Sequence, residues 1–267
     1  MGLSDSEILM PASAADAVDA FGDGRDVTVF AGGTILMPML AYGRYPQAAR
    51  TLMLARAGLS GISDNGTVRI GAMTTLAALA DSGIEPLAAA AHDVADVEIR
   101  GQATVGGNLC APPSQDSPRG DLQAALLALG AQVRCAAAGG ERTEPVEDFL
   151  AGRQSEPRLV LAVEFARPRR ASWLSQRRLH AHSYAVMAVA CTELADGVRV
   201  AAAGVGPAAV RLRSVEQALA EGAAPGKAAG GALDSLEPPD DALASSWYRS
   251  QVLPVLVSRA ITQLQGG

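Results

Sequence analysis

Lysine is almost missing from this chain: of its 22 basic residues only Lys227 is a lysine, and 28 acidic residues bring the net charge to −6. The arginines are scattered, so the sequence has no basic face of the kind a polyphosphate backbone needs, and nucleic acid is excluded as a partner. Cysteine is equally scarce. Cys110, Cys135 and Cys191 stand far apart without a CxxC, which fits neither a disulfide framework nor a zinc or iron–sulfur site. No run of 18 apolar residues occurs, so no membrane span is expected, and "MGLSDSEILMPAS" lacks a basic segment followed by an apolar one. These absences together give a cytoplasmic reading. What is plentiful is glycine, 28 residues in a chain of 267 that is 49% hydrophobic. That is enough to bury a large core in one large or about two medium domains.

Periodicity suggests alternating helices and strands in the first third. "AADAVDAF" (14–21) has apolar residues at helical spacing with Ser13 placed to cap it, and "DVTVFAGG" (26–33) alternates before a glycine stop. "ILMPML" reads as a helix start interrupted by Pro38, "TLMLAR" (51–56) as a covered strand, and "GTVRIGAMTTLAALADSG" (66–83) as strand, turn and helix. Ile84 to Ala95 is an alanine-rich helix, and "LQAALLALGA" a second one ending at Gly130. "AQVRCAAA" and "RLVLAVEF" look like strands, and "ARPRRAS" (166–172) marks a boundary. Beyond it come two neighbouring strands, "YAVMAVACTEL" and "VRVAAAGVG", then two helices, the last at about 243–265 with Pro254 inside it.

Two glycine doublets carry the chemistry. In "VFAGGT" a strand ends in Gly32-Gly33 before Thr34, exposing successive amides without a Cβ and placing a hydroxyl beside them. "ATVGGNLC" repeats the pattern with Thr104 before Gly106-Gly107 and Asn108 after. Either doublet alone reads as a turn, whereas two of them could grip a diphosphate from both sides. Neither matches G-x-G-x-x-G or a P-loop, so a nicotinamide-binding unit is not supported. Asp121 stands before a helix either as its N-cap or as an acceptor for a ribose or ribityl hydroxyl, with Asp116 a weaker candidate. His180 and His182 have a spacing compatible with a metal but no visible third ligand, and His92 stands alone. Cys110 reads as a small packed residue rather than a nucleophile. Tyr184 could lie against a flat ring or pack in the core.

Over nearly its whole length the chain resembles the FAD-binding medium subunits of the molybdenum hydroxylases, the group of carbon monoxide, xanthine and aromatic-compound dehydrogenases. The stretches that carry the resemblance are "AGGT", "IGAMTTLAAL", "IRGQATVGGNL", Asp121 before "LQAALLAL", "GVGPAAVRLRSVEQAL" and "SSWYRSQVLPVLVSRA". The resemblance implies an α+β chain: a two-subdomain FAD-binding fold of the vanillyl-alcohol-oxidase type over 1–165 (about 1–58 and 59–165), then a domain over 172–267 with a three-stranded antiparallel sheet and helices. It implies FAD held by Ala31, Gly32, Gly33, Thr34 and the backbone of Ile35 on one loop, and by Thr104, Gly106, Gly107 and Asn108 on the other. Asp121 would bond the adenosine or ribityl side, Leu159 would touch the ring edge and Tyr184 would flank the isoalloxazine. A small subunit with two [2Fe–2S] clusters and a large molybdopterin subunit are the implied partners, as a dimer of heterotrimers, with no catalytic or metal-binding residue on this chain. The alternatives are a scaffold subunit without FAD and a free-standing FAD oxidoreductase. Ser183 stands where an Asp is common in the family and Gln176 where a Lys is, and the loss of that cation gives an expected lower flavin potential.

Overall fold

A computed structural model describes residues 7–45, 48–112, 120–153, 155–177 and 185–266. Three sheets organise the chain. The first is parallel, in the order β1-β3-β2, from β1 (Glu7–Leu9), β2 (Val27–Phe30) and β3 (Arg50–Met53). Helix α1 (Ala14–Phe21) packs on it through Ala17 and Phe21, and Ser13 caps the helix by accepting from the Asp16 amide at 3.1 Å. The strand expected over 51–56 ends at Met53, where Leu54–Arg56 tightens into one 3₁₀ turn. After β2, α2 (Leu36–Ala41) forms in spite of Pro38, because that proline falls in the first turn, where a backbone donor has no helical partner.

The second sheet is antiparallel, in the order β4-β5-β8-β6-β7: β4 (Ile62–Asp64), β5 (Val68–Gly71), β6 (Gln132–Ala137), β7 (Gly140–Pro145) and β8 (Leu159–Phe165). Over it lie α3 (Leu76–Ala80), α4 (Leu87–His92), α5 (Val97–Gln102), α6 (Val105–Leu109), α7 (Leu122–Ala128) and α8 (Val146–Gly152), which share its apolar core. The alanine-rich helix expected over 84–95 forms only as α4, which starts directly after Pro86.

The third sheet contains β9 (Arg170–Arg177), β10 (Ala185–Leu194), β11 (Gly197–Ala203) and the two-residue β12 (Val210–Arg211), in the order β12-β11-β10-β9. Its three long antiparallel strands are those the resemblance implies, and β12 extends one edge. Both faces are covered. Ala188, Ala190, Ala201 and Ala203 pack toward α7 with the core of the second sheet, while Met187, Val189, Cys191 and Val200 pack against α9 (Arg213–Ala220), α10 (Pro225–Ala228) and α11 (Ser246–Gly266). The alanine face lets α7 approach closely enough for Thr192 Oγ1 to donate to the Ala128 carbonyl at 2.6 Å. Asp93, just after α4, adds a polar tie by accepting from Trp173 Nε1 and Ser175 Oγ on β9, both at 2.7 Å. Among the described residues no helix is long and apolar enough to cross a membrane.

Candidate functional site

Where the first two sheets meet the helices, the chain encloses a cavity of about 470 Å³, within the range of about 300–1,000 Å³ common for ligand pockets. Eleven of the residues expected to hold a cofactor line it: Ala31, Gly32, Gly33, Thr34 and Ile35 from the first glycine loop, Thr104, Gly106, Gly107 and Asn108 from the second, and Asp121 with Leu159. Tyr184 lies outside the described residues, as do Asp116, His180, His182 and Ser183.

The first loop leaves β2 and has not yet become α2. The amides of Gly32, Gly33, Thr34 and Ile35 have no acceptor among the described residues, and neither does the Thr34 hydroxyl. Four consecutive donors on a cavity wall form an anion-binding concavity. Two glycine requirements produce it. Gly33 has a φ of +75°, a conformation that penalises a side chain. An ideal Cβ on Gly32 would stand 2.0 Å from the Gln102 carbonyl oxygen, so this glycine lets the first loop touch the chain entering the second.

The second loop differs from its sequence reading. "TVGGN" is not an open turn: residues 105–109 form α6, and Thr104 is its N-cap, with Oγ1 accepting from the Gly107 amide at 3.1 Å. The Val105 amide donates to the Thr74 carbonyl, Gly106 to Ala72 and Asn108 to Thr104. Every amide from 105 to 108 is therefore engaged within the protein, and what the loop turns to the cavity is side chains and close backbone. Gly106 is needed because its Cβ would come within 2.9 Å of Ala72 Cβ.

Asp121 occupies the N-cap position of α7 but makes no side-chain cap bond. Asn108, 6% exposed, takes that task with Oδ1 accepting from the Leu122 amide at 2.9 Å, while its Nδ2 donates to Asp121 Oδ2 at 3.2 Å. Burial pushes the Asp121 carboxyl up to about 6, partly opposed by the Asn108 bond and by Arg177. A carboxyl of that kind can accept from a hydroxyl and can also hold a proton near neutral pH. Leu159 joins Phe21, Leu52 and Leu54 in the core under the cavity. Cys110 is exposed rather than packed and opens toward the cavity, where desolvation pushes its thiol up to about 12. Among the described residues no His, Cys, Asp and Glu are grouped to hold a metal.

Sequence reasoning missed several parts of the wall. Met39 and Tyr45 follow the first loop, Val94 and Ala95 follow α4, and Arg158 precedes Leu159. Only Arg158 left a usable signal, a charged residue directly before an apolar strand. Gln176 is not among the lining residues: it alternates on β9 with Ser175, which faces Asp93, and so lies on the opposite face of the strand.

The cavity-lining residues all fall within a span of the chain that matches a known family. Residues 4–167 match the family described as FAD binding domain in molybdopterin dehydrogenase, and 170–264 match the CO dehydrogenase flavoprotein C-terminal domain. The carbon monoxide dehydrogenase medium chain of Hydrogenophaga pseudoflava is 28% identical over 275 residues, covering 94% of both chains. The nicotine 6-hydroxylase medium subunit of Paenarthrobacter nicotinovorans is 32% identical over 149 residues, 53% of this chain and 51% of that subunit, so the match spans about half the relative's length. The solved structure of the Hydrogenophaga pseudoflava carbon monoxide dehydrogenase that lacks the Mo-pyranopterin moiety of its cofactor superimposes with a TM-score of 0.83 at 26% identity. That match covers 100% of this chain and 99% of the other.

Proposed function

Because this chain belongs to the FAD-binding medium subunits of the molybdenum hydroxylases, we propose that it carries one FAD along the cavity as the electron-transfer subunit of a heterotrimer. Electrons reach it from [2Fe–2S] clusters on a small subunit and leave for an external acceptor. The observation that carries the reading is the strip of four amides from Gly32 to Ile35 without acceptors among the described residues, which fits a pyrophosphate. Substrate would be hydroxylated at a molybdopterin cofactor on a large subunit, in a cytoplasmic dimer of heterotrimers. Residues 1–165 would form the FAD-binding part, divided near 58, and 172–267 the C-terminal domain.

FAD supplies the redox chemistry when bound, and the chain supplies placement and electrostatics. Ala31, Gly32, Gly33, Thr34 and Ile35 would donate to the diphosphate. Gly106 and Gly107 would let it approach α6, with the Thr104 hydroxyl beside them. Asn108 holds Asp121 in place to accept from a ribityl or ribose hydroxyl. Leu159 would keep water from the ring edge, and Tyr184 is assigned beside the ring on the resemblance alone. No residue of this chain is required to abstract or donate a proton to the primary substrate.

The direct test is the absorption spectrum of the purified full chain, followed by acid release. One flavin per chain identified as FAD is the expected result. Protein without flavin bands and without releasable FAD would leave only a scaffold, and turnover of a substrate by the isolated chain would make it a free-standing oxidoreductase.

A further inference from the structure

Among the described residues two buried side-chain nitrogens have no hydrogen-bond partner, Nε of Arg158 and Nε of Arg249. Arg249 belongs to the C-terminal body, where its other nitrogens serve the carbonyls of Val186 and Gly204 and the Asp241 carboxylate. Arg158 stands in the wall of the cavity beside Leu159 and Val160, with its side chain only 4% exposed. Its guanidinium lies 4.7 Å from the centroid of the Phe149 ring, and Nη1 donates to Glu144 Oε1 at 2.8 Å.

The Glu144 charge is divided. Burial opposes it, but bonds from Arg158 and Cys135 hold this carboxyl below the usual range, and Arg142 also approaches it at 3.5 Å. Arg158 also acts on the Glu156 charge and so shares two acidic neighbours with Arg142, while its Nε–H stays without an acceptor among the described residues. Its field reaches the cavity: after burial, the pull on the Cys110 thiol comes from Arg153 and Arg158. A buried N–H without an acceptor is costly, and in the wall of a cavity the acceptor can be supplied by a ligand.

We infer that Arg158 is the cation of this cavity toward FAD: its Nε–H bonds an acceptor atom on the flavin half of the cofactor, and its charge sets the flavin's reduction potential. The inference rests on the FAD reading above. Two electrons and one proton convert the oxidised ring into an anion, and a fixed guanidinium favours that form over the neutral one. A positive charge just before β8 thus takes the place of the Lys whose absence at 176 suggested a low potential, Gln176 being on the face of β9 opposite Ser175.

The test is a spectroelectrochemical titration of the FAD-loaded full chain. Arg158→Met should weaken binding of reduced relative to oxidised flavin about tenfold, lowering the midpoint by about 30 mV for a two-electron couple. Glu144→Gln leaves Arg158 in place without its counter-charge and should raise the midpoint. A purely structural arginine would lower Tm in Arg158→Met while leaving the potential at the wild-type value, and that result overturns the inference. If Arg158→Met is isolated without flavin, Glu144→Gln decides: an unchanged or lowered midpoint refutes the proposal. Wild-type protein that holds no FAD would instead refute the reading on which it rests.

Discussion

The two glycine doublets share a sequence signature and differ in physics. Around Gly32 and Gly33 the backbone is held open: four amides point to no acceptor in the described chain, and one glycine is fixed at positive φ. Around Gly106 and Gly107 it is closed into α6, whose amides bind Ala72, Thr74 and Thr104. The first loop has backbone donors left over on the cavity wall, and the second brings a capped helical turn to the same cavity. The contact between Gly32 and Gln102 makes the loops depend on one another, since the donor strip keeps its shape only where the chain entering the second loop passes.

A Cβ at each position tests that contrast most severely. Gly32→Val drives a side chain into the Gln102 carbonyl, so the variant should lose bound flavin and show a fall in Tm of about 5–10 °C. Gly107→Ala meets only Thr104 Oγ1, at 3.0 Å, and adds helix propensity. Its Tm should stay within about 2 °C of wild type, and any loss of flavin then reports the cofactor's approach rather than the fold. Equal destabilisation by both substitutions, measured by calorimetry with the flavin-to-protein ratio, would break the distinction.

The threonines sharpen it on a smaller scale. Thr104→Val removes the cap of α6 and should cost about 1 kcal/mol, a fall in Tm of about 2–4 °C, before any ligand is added. Thr34 has no partner among the described residues. Thr34→Val should therefore leave apo-protein stability unchanged and weaken FAD binding about five- to tenfold through one lost hydroxyl. Titration of apo-protein with FAD separates them, and a stability loss in Thr34→Val would mean that the first loop is also engaged internally.

How much of this was legible follows the range of the interactions. α1 could be read outright because periodicity and the Ser13 cap are local. The place of both doublets on one cavity followed from the order of the stretches around them. The closed state of the second loop was hidden, because the acceptors of Val105 and Gly106 lie about thirty residues earlier on the β5–α3 turn. β9 was hidden for another reason: "RASWLSQR" begins inside the stretch read only as a boundary, and it becomes a strand through its pairing with β10. Asp121 was read as a possible cap because it precedes a helix. Its role passed to Asn108, fourteen residues before the amide it caps. Arg158 escaped notice because an arginine at a strand end ordinarily reaches solvent.

The smallest expected effect concerns that Asn108–Asp121 pair, which puts a carboxyl beside the second loop. The Asp121 carboxyl sits at about 6 in the folded chain against 3.8 for the ordinary side chain, chiefly through burial. Between those values the folded state binds more protons than the unfolded one, so this group's contribution is fully present below pH ~4 and is lost as pH rises through ~6. Asp121→Asn keeps an acceptor for Asn108 Nδ2 and removes the titration. The variant should match wild type near pH 4 and become the more stable of the two above pH ~6, by a few degrees at most. The first loop offers no such group, so Thr34→Val should follow wild type across the same range. A wild-type minus Asp121→Asn difference in Tm that stays flat from pH 4 to 7 would show that Asp121 is already ionised at no cost, and the second loop would then present a permanent charge to its ligand.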